Sequence, residues 1–412
     1  MRSLQRACLA VLLGAVLGHA AELTVLEAGS AGQLTALGNE ALMQGRFETA
    51  IEHYRRALAV DKTSFQALFN LALAHQQLGK DAEARRWYEE ALKISRDHPE
   101  VLCNLGWLAF RAGEWRRAEE HFLDAARQAA GSAADGADYW FNVGTARERL
   151  GEAQEARRAY EECLALDPNH FAGHFNLGTL YLGALSDQAQ ALDKAEAALT
   201  KARDLAPTRA EALVNLALCH ERLGRGDAAA EFDQAVKIAA PAYLPHALFN
   251  RARFFDRQLP PRKLAMRDDL KAVLALEPDY PEANGLLGVY HFAVGEYDQA
   301  IQLLNREVAG DHFDSTSPVD VEAHYLLAII HTDQRPDPVK ALSHATSYYQ
   351  LRPDSAKIQE LRRRALRLGG DRTVPRATVP GSAEVRDAAH AVSVPAHPAP
   401  AHPLPGAAPA PH

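Results

Sequence analysis

The sequence predicts an all-α chain: a solenoid of about nine helix-turn-helix repeats. Three observations predict it. First, features recur every 34 residues: Gly45, Gly79 and Gly113, each preceded by Leu37-Gly38, Leu71-Ala72 or Leu105-Gly106. Second, apolar and small residues fall on one helical face within a unit. In the stretch 137–170, Trp140, Val143, Gly144 and Arg147 share one face, and Ala156, Tyr160 and Cys163 share another. Third, the runs are punctuated where helices must stop. Gly151 stands where left-handed dihedrals are needed, and Pro168 cannot continue the second helix. The small residues at 144 and 156 let paired helices approach, and the aromatic at 160 fills the space beside them.

Taken in order, residues 1–20 differ from the rest. Arg2 and Arg6 precede a run of about eleven apolar residues, Ala7 to Leu17, and Gly18-His19-Ala20 offers small residues for cleavage after Ala20. This is a signal-peptide pattern, too short to span a bilayer comfortably. An uncleaved anchor is the alternative. Cys8 lies ahead of the main part of the apolar run rather than after it, which argues against lipidation. Residues 21–30 form a spacer. Units then start near 31, 65, 99, 137, 171, 210, 245, 281 and 321, and the array ends at 355. A loop around Gly131 to Gly136 lengthens the third junction, and extra residues around Gly183 to Gln188 lengthen the fifth unit. Pro260-Pro261 interrupts the seventh, which is the weakest. An Arg-rich helix over 356–369 caps the array. Nine of the 22 prolines fall in the last 43 residues, mixed with Ala and His, so 370–412 is expected to be a disordered tail.

Composition excludes some functions. With a net charge of −8 and no clustered Lys and Arg, general nucleic-acid binding is not expected. No segment after the signal is apolar for long enough to be a membrane helix. Abundant Ala, and Arg in preference to Lys, point to a GC-rich bacterial genome. Cys103, Cys163 and Cys219 fall in separate predicted helices. Stacked helices sit about 8–10 Å apart, beyond the roughly 7 Å a disulfide tolerates. The three read as small apolar fillers. No phosphate loop, His-Glu-x-x-His, Cys-x-x-Cys or nucleophile elbow occurs, so neither an enzyme nor a cofactor or metal site is expected. His75, His220, His291 and His331 share the eleventh place of their units and read as flat rings in the packing.

A 34-residue period, with Leu-Gly followed by alanine and an aromatic four residues on, resembles the tetratricopeptide repeat (TPR) family. The resemblance covers about four fifths of the chain. It implies a right-handed superhelix whose concave face binds protein or peptide. Asn70, Asn104, Asn142, Asn176, Asn215 and Asn250 occupy the sixth place of units two to seven, which the family turns to that face. The column stops at Leu286 and Leu326. An exposed Asn amide both donates and accepts, so a ladder of them can hold an extended peptide by its main chain. The row is similar to the asparagine ladder in the TPR superhelix of O-GlcNAc transferase, without the transferase domain. The alternative is that Asn is simply common at this place. Phe69, Phe141, Phe175, Phe249 and Tyr325 hold the fifth place, either as apolar pockets along the groove or as packing rings. Charges at the groove edge, Glu148-Arg149, Glu221-Arg222 and Asp256-Arg257, are of mixed sign. The family's clamp for a terminal carboxylate maps onto Thr35, Asn39, Asn70, Glu100 and Asn104, and lacks its basic residues. The expectation is an exported adaptor, periplasmic or secreted, with a peptide groove. The alternative is an accessory subunit of an envelope assembly or secretion machine, docking through its convex face or tail.

Overall fold

The computed structural model describes residues 30–129, 133–188, 190–311 and 313–355, together with 357, 361 and 364. The signal segment 1–20 and the tail 370–412 lie outside the described residues, as does most of the expected cap. Among the described residues there are eighteen α-helices, one π-helical turn and no strand. They form two compact bodies, 1–205 and 206–391 as far as described.

The first body holds five helix pairs: α1 (Ala31–Met43) with α2 (Phe47–Val60), α3 (Phe65–Gln77) with α4 (Asp81–Ile94), α5 (Pro99–Arg111) with α6 (Trp115–Gln128), α7 (Ala133–Arg149) with α8 (Ala153–Leu166), and α9 (Phe171–Leu182) with α10 (Ala191–Leu205). Within this body each of the first four second helices also packs on the first helix of the next pair. The first helix starts on Ser30, whose side chain accepts from Gln33 N while the Gln33 side chain reaches back to Ser30 N. In four of the five pairs a close approach is built around a missing side chain, at Gly38, Gly106, Gly144 and Gly178, and the second pair has Ala72 at that place. A Cβ on Gly144 would lie 2.4 Å from Tyr160 Cε1, so only glycine admits the ring. The rings that fill these gaps, Tyr54, Tyr88, Phe122 and Tyr160, have no exposed surface. Each contributes about 2–3 kcal/mol of apolar burial. Gly151 ends its helix with φ 76°, a conformation that costs a side-chain-bearing residue about 1 kcal/mol.

The 131–136 stretch, expected as a loop, is helical from Ala133 onward. The added residues after Leu182 form turns before α10.

The second body contains α11 (Ala210–Leu223), α12 (Ala228–Ile238), α13 (Leu244–Arg257), α14 (Lys263–Leu276), α15 (Ala283–Ala293), α16 (Tyr297–Ala309), α17 (Pro318–Ile329) and α18 (Pro338–Leu351). Pro260-Pro261 lies in the connection between α13 and α14 and interrupts neither helix. Between α17 and α18 the chain forms a π turn over Ile330–Gln334. The core is again built from single large residues, Phe232, Leu270 and Leu304, all fully buried. Beyond α18, Lys357, Leu361 and Arg364 are helical. Leu361 is 1% exposed and packs with Val321 and Tyr348. Lys357 pairs with Glu322 at 2.6 Å, and Arg364 pairs with Asp333. Cys103, Cys163 and Cys219 are buried free thiols.

Candidate functional site

The candidate site is the face carried by the first helix of each pair. On α5 that face reads Glu100, Asn104, Trp107, Arg111, and on α7 it reads Asp138, Asn142, Thr145, Arg149. Spacings of four, three and four residues align such side chains along one helix edge. Acid, amide and base are thus strung out in the same order on two neighbouring repeats.

The asparagines are recessed rather than openly exposed. Asn70, Asn104 and Asn142 are only 6–7% exposed, whereas Asn176, Asn215 and Asn250 are half-buried. Several amides already have partners within the chain. Asn70 Nδ2 donates to Asn39 Oδ1 at 2.6 Å, and the same oxygen accepts from Tyr54 OH at 2.8 Å. Asn176 Nδ2 donates to Tyr160 OH at 3.2 Å. Asn250 Nδ2 donates to its own helix, to His246 O at 2.9 Å. Asn142 Nδ2 reaches only Cys103 Sγ, at 3.5 Å. The premise of uniformly exposed amides is therefore corrected. At Asn176 the Tyr160 hydroxyl of the preceding second helix meets the amide, and at Asn70 the Tyr54 hydroxyl does so through Asn39.

The aromatic row is likewise part of the packing. Phe69, Phe141 and Phe249 are 7–8% exposed. The Phe69 ring centroid lies 5.7 Å from Tyr88, that of Phe141 5.7 Å from Tyr160 and 5.3 Å from His170, and that of Phe249 5.0 Å from Tyr280. Phe175 stacks on Phe171 at 6.0 Å, and Tyr325 meets Tyr348 at 5.5 Å. Phe69, Phe141 and Phe249 are thus packed, whereas Phe175 and Tyr325 remain half-buried. The ring at the fifth place seals the seam between its own helix pair and the following turn. Among the clamp places, Thr35 Oγ1 donates to Ala31 O at 2.7 Å, and Asn39 is engaged as described.

The groove-edge charges are also used internally. Glu148 accepts from Tyr160 OH, and burial pushes its carboxyl above the usual range. Arg149 lies over the rings of Phe110 and Trp115, at 5.9 and 5.8 Å. Arg257 pairs with Glu221 at 2.7 Å, and Lys263 with Asp256. Arg111 pairs with Asp81 at 2.6 Å.

The four histidines of the eleventh place are buried, at 3–9% exposure. His220 Nδ1 lies 2.9 Å from Glu231 and His291 Nδ1 2.5 Å from Glu296, whereas neither ring nitrogen of His75 or His331 has a partner. Burial, then the Arg55 charge, holds the His75 pKa below the ordinary imidazole value. Among the described residues no group of three or more His, Cys, Asp or Glu is arranged to hold a metal ion, and no helix is long and apolar enough to cross a membrane.

Two features were missed in the sequence. One is the link between a second-helix tyrosine hydroxyl and the next repeat's amide, direct from Tyr160 to Asn176 and through Asn39 from Tyr54 to Asn70; its only signal was which aromatic carries a hydroxyl. The other is a buried acid pair, Glu307 and Asp320, at 0% and 1% exposure, for which no local pattern exists.

Models of the tetratricopeptide repeat match residues 35–99, 184–243 and 267–315 in one form and 137–170 in another, together half of the chain. Tetratricopeptide repeat protein 8 of Caenorhabditis elegans is 26% identical over 147 residues, 36% of this chain and 29% of that protein. The Cell division cycle protein 16 homolog of Homo sapiens is 26% identical over 187 residues, 44% of this chain and 30% of that one. The chain thus spans less than a third of the length of these curated relatives. Among solved structures, pilF of Pseudomonas aeruginosa aligns with TM-score 0.43 and 18% identity, over 58% of this chain and 95% of that one. A fragment of MamA from Desulfovibrio magneticus aligns with TM-score 0.38 and 19% identity, over 43% and 96%. At these values no functional correspondence follows.

Proposed function

Because the chain belongs to the tetratricopeptide repeat family, we propose that it is a non-catalytic adaptor that holds an extended protein segment on the face formed by its first helices. The observation that carries this reading is the recurrence of an amide at one helical place in successive repeats, set in a recess between charged ends. Packing alone does not demand it, since an apolar residue fills the same place at Leu286 and Leu326. Asn70, Asn104, Asn142 and Asn176 belong to the first body, and Asn215 and Asn250 to the second. The proposed partner is a polypeptide rather than a nucleic acid, in keeping with the net charge of −8. We further propose export to the bacterial periplasm or beyond, supported by the Arg2/Arg6, apolar-run and Ala20 pattern.

Photo-cross-linking in the native host, with the linker at residue 107, tests the adaptor reading. Replacing Asn142, Asn176 and Asn215 together by Ala is expected to abolish capture of the cross-linked partner while the helical circular dichroism is kept. Undiminished capture refutes the groove. Export is tested by the mass of the recovered protein, expected to begin at Ala21; full-length chain confined to the cytosol refutes it.

A further inference from the structure

The amide column does different work from repeat to repeat, and this singles out two of its members. Asn70 is engaged by Asn39, the acceptor of Tyr54 OH, and Asn176 is engaged by Tyr160 OH itself. In both places a tyrosine of the preceding second helix satisfies the amide or its partner. Two neighbouring repeats break the rule. Tyr88, which precedes Asn104 in this register, turns its hydroxyl to Gln76 Oε1 at 3.0 Å. Asn104 is left with no hydrogen bond to any described residue, and neither of its polar atoms is sealed from solvent. The residue that precedes Asn142 is Phe122, which has no hydroxyl to offer. Its ring sits as Tyr160 does: a Cβ on Gly106 would lie 2.5 Å from Phe122 Cε1, against 2.4 Å for Gly144 and Tyr160. Asn142 therefore has only the Cys103 thiol at 3.5 Å, a weak acceptor that a better one displaces.

The surroundings of these two amides are acidic. Glu100 and Asp138 each stand one turn before their asparagine. Burial raises the Cys103 thiol pKa, and the Asp138 and Glu100 carboxylates add to the effect, so both charges act at the spot where Asn142 ends. Asp138 is bridged to His170 Nε2 at 2.9 Å, a neutral ring unless protonated. The cations of the same faces are committed elsewhere, Arg111 to Asp81 and Arg149 to the Phe110 and Trp115 rings. Helices in side-chain contact sit about 8–10 Å apart, the length of about three extended residues.

Resting on the groove reading above, we propose that Asn104 and Asn142 are where this protein grips its partner, taking the main chain of an extended segment that carries a Lys or Arg side chain toward Glu100 and Asp138. The other asparagines of the first body serve chiefly to tie one repeat to the next. Asn104 and the weakly engaged Asn142 give main-chain recognition with little sequence demand, and the carboxylates select charge.

The test uses the full chain and three fluorescein-labelled dodecapeptides, (Ala-Gly-Lys)4, (Ala-Gly-Gln)4 and (Ala-Gly-Glu)4, read by fluorescence anisotropy. The Lys peptide is expected to bind at least tenfold more tightly than the Glu peptide. Asn104→Ala/Asn142→Ala is expected to weaken it tenfold or more, and Asn70→Ala/Asn176→Ala less than threefold. Phe122→Tyr supplies the missing hydroxyl, and is expected to weaken binding threefold or more at an unchanged or raised Tm. That variant keeps the test sharp if the alanine pair loosens the fold. Equal loss from the two double variants, or equal binding of the Lys and Glu peptides, overturns this inference and leaves the groove reading standing. Binding of none of the three removes both.

Discussion

The buried acid pair of the second body makes the protein's stability depend on pH in a way that one substitution should remove. Glu307, fully buried, accepts hydrogen bonds from Glu282 N at 3.0 Å and Gly285 N at 2.5 Å, close to the start of α15. Its other neighbour is Asp320, itself 1% exposed, whose carboxylate also accepts from Asp314 N at 2.7 Å. Two carboxylates in one dry site cannot both ionise cheaply, so they share a proton. Burial and the hydrogen bond to Asp320 raise the Glu307 pKa from 4.5 to about 8, against the two backbone donors, which lower it. A carboxyl with a raised folded pKa binds a proton in the native state that the unfolded chain has released. Its contribution is therefore largest below pH 4.5 and is lost as pH rises toward about 8. The slope is about 1.4 kcal/mol per pH unit at most, so between pH 6 and 8 the loss is on the order of 2 kcal/mol. Glu307→Gln removes the titrating proton; the two backbone donors bond to different carboxylate oxygens, so the single amide oxygen keeps only one of them. Thermal unfolding followed by circular dichroism from pH 6 to 9 should show wild type falling relative to E307Q, whose own profile lacks this fall. Parallel profiles for the two proteins would refute the shared proton.

Other consequences are local to the first body. Gly144→Ala forces its methyl into the Tyr160 ring, 2.4 Å away, and should destabilise by about 1–3 kcal/mol, as overpacking does; an unchanged urea midpoint would mean that the ring yields freely. Tyr160→Phe removes the hydroxyl that serves both Glu148 and Asn176, and should cost about 1–3 kcal/mol by leaving a buried acceptor unpaired. A loss below half of that, measured by denaturant unfolding, would show that water replaces it. Arg147 pairs with Glu119 at 2.7 Å with the two side chains 17% and 7% exposed, so Arg147→Ala should cost about 3 kcal/mol. Arg127→Ala, which breaks an exposed pair with Asp124, should cost less than about 1 kcal/mol. Equal costs would contradict the difference in burial.

The repeat was legible because the physics that stacks helix pairs is local and periodic. Gly144 and Tyr160 sit at the offsets that a close helix crossing requires, and Pro168 stops the pair. The asparagine column was equally visible, yet its use was not. A sixth-place amide looks the same at 104 and 176, but its availability depends on a ring from the preceding repeat and on whether that ring bears a hydroxyl directed at it. The fifth-place rings were ambiguous for a similar reason, since a Phe at a groove wall and a Phe in a seam share one helical register. Pro260-Pro261 looked like a break and proved to be a connection, because the sequence does not say which side of a proline pair the helices end on.

The chain's order of residues alone determined that it would fold as paired helices in a TPR array, and that Cys103, Cys163 and Cys219 would be buried and unpaired. Only the tertiary structure decided which amides remained open and where two acids would meet. Periodicity records what each repeat has in common, whereas hydrogen bonds and charge proximity arise between residues from different repeats. Tyr160 reaching Asn176, Phe122 failing to reach Asn142, and Glu307 meeting Asp320 are all contacts across a repeat boundary.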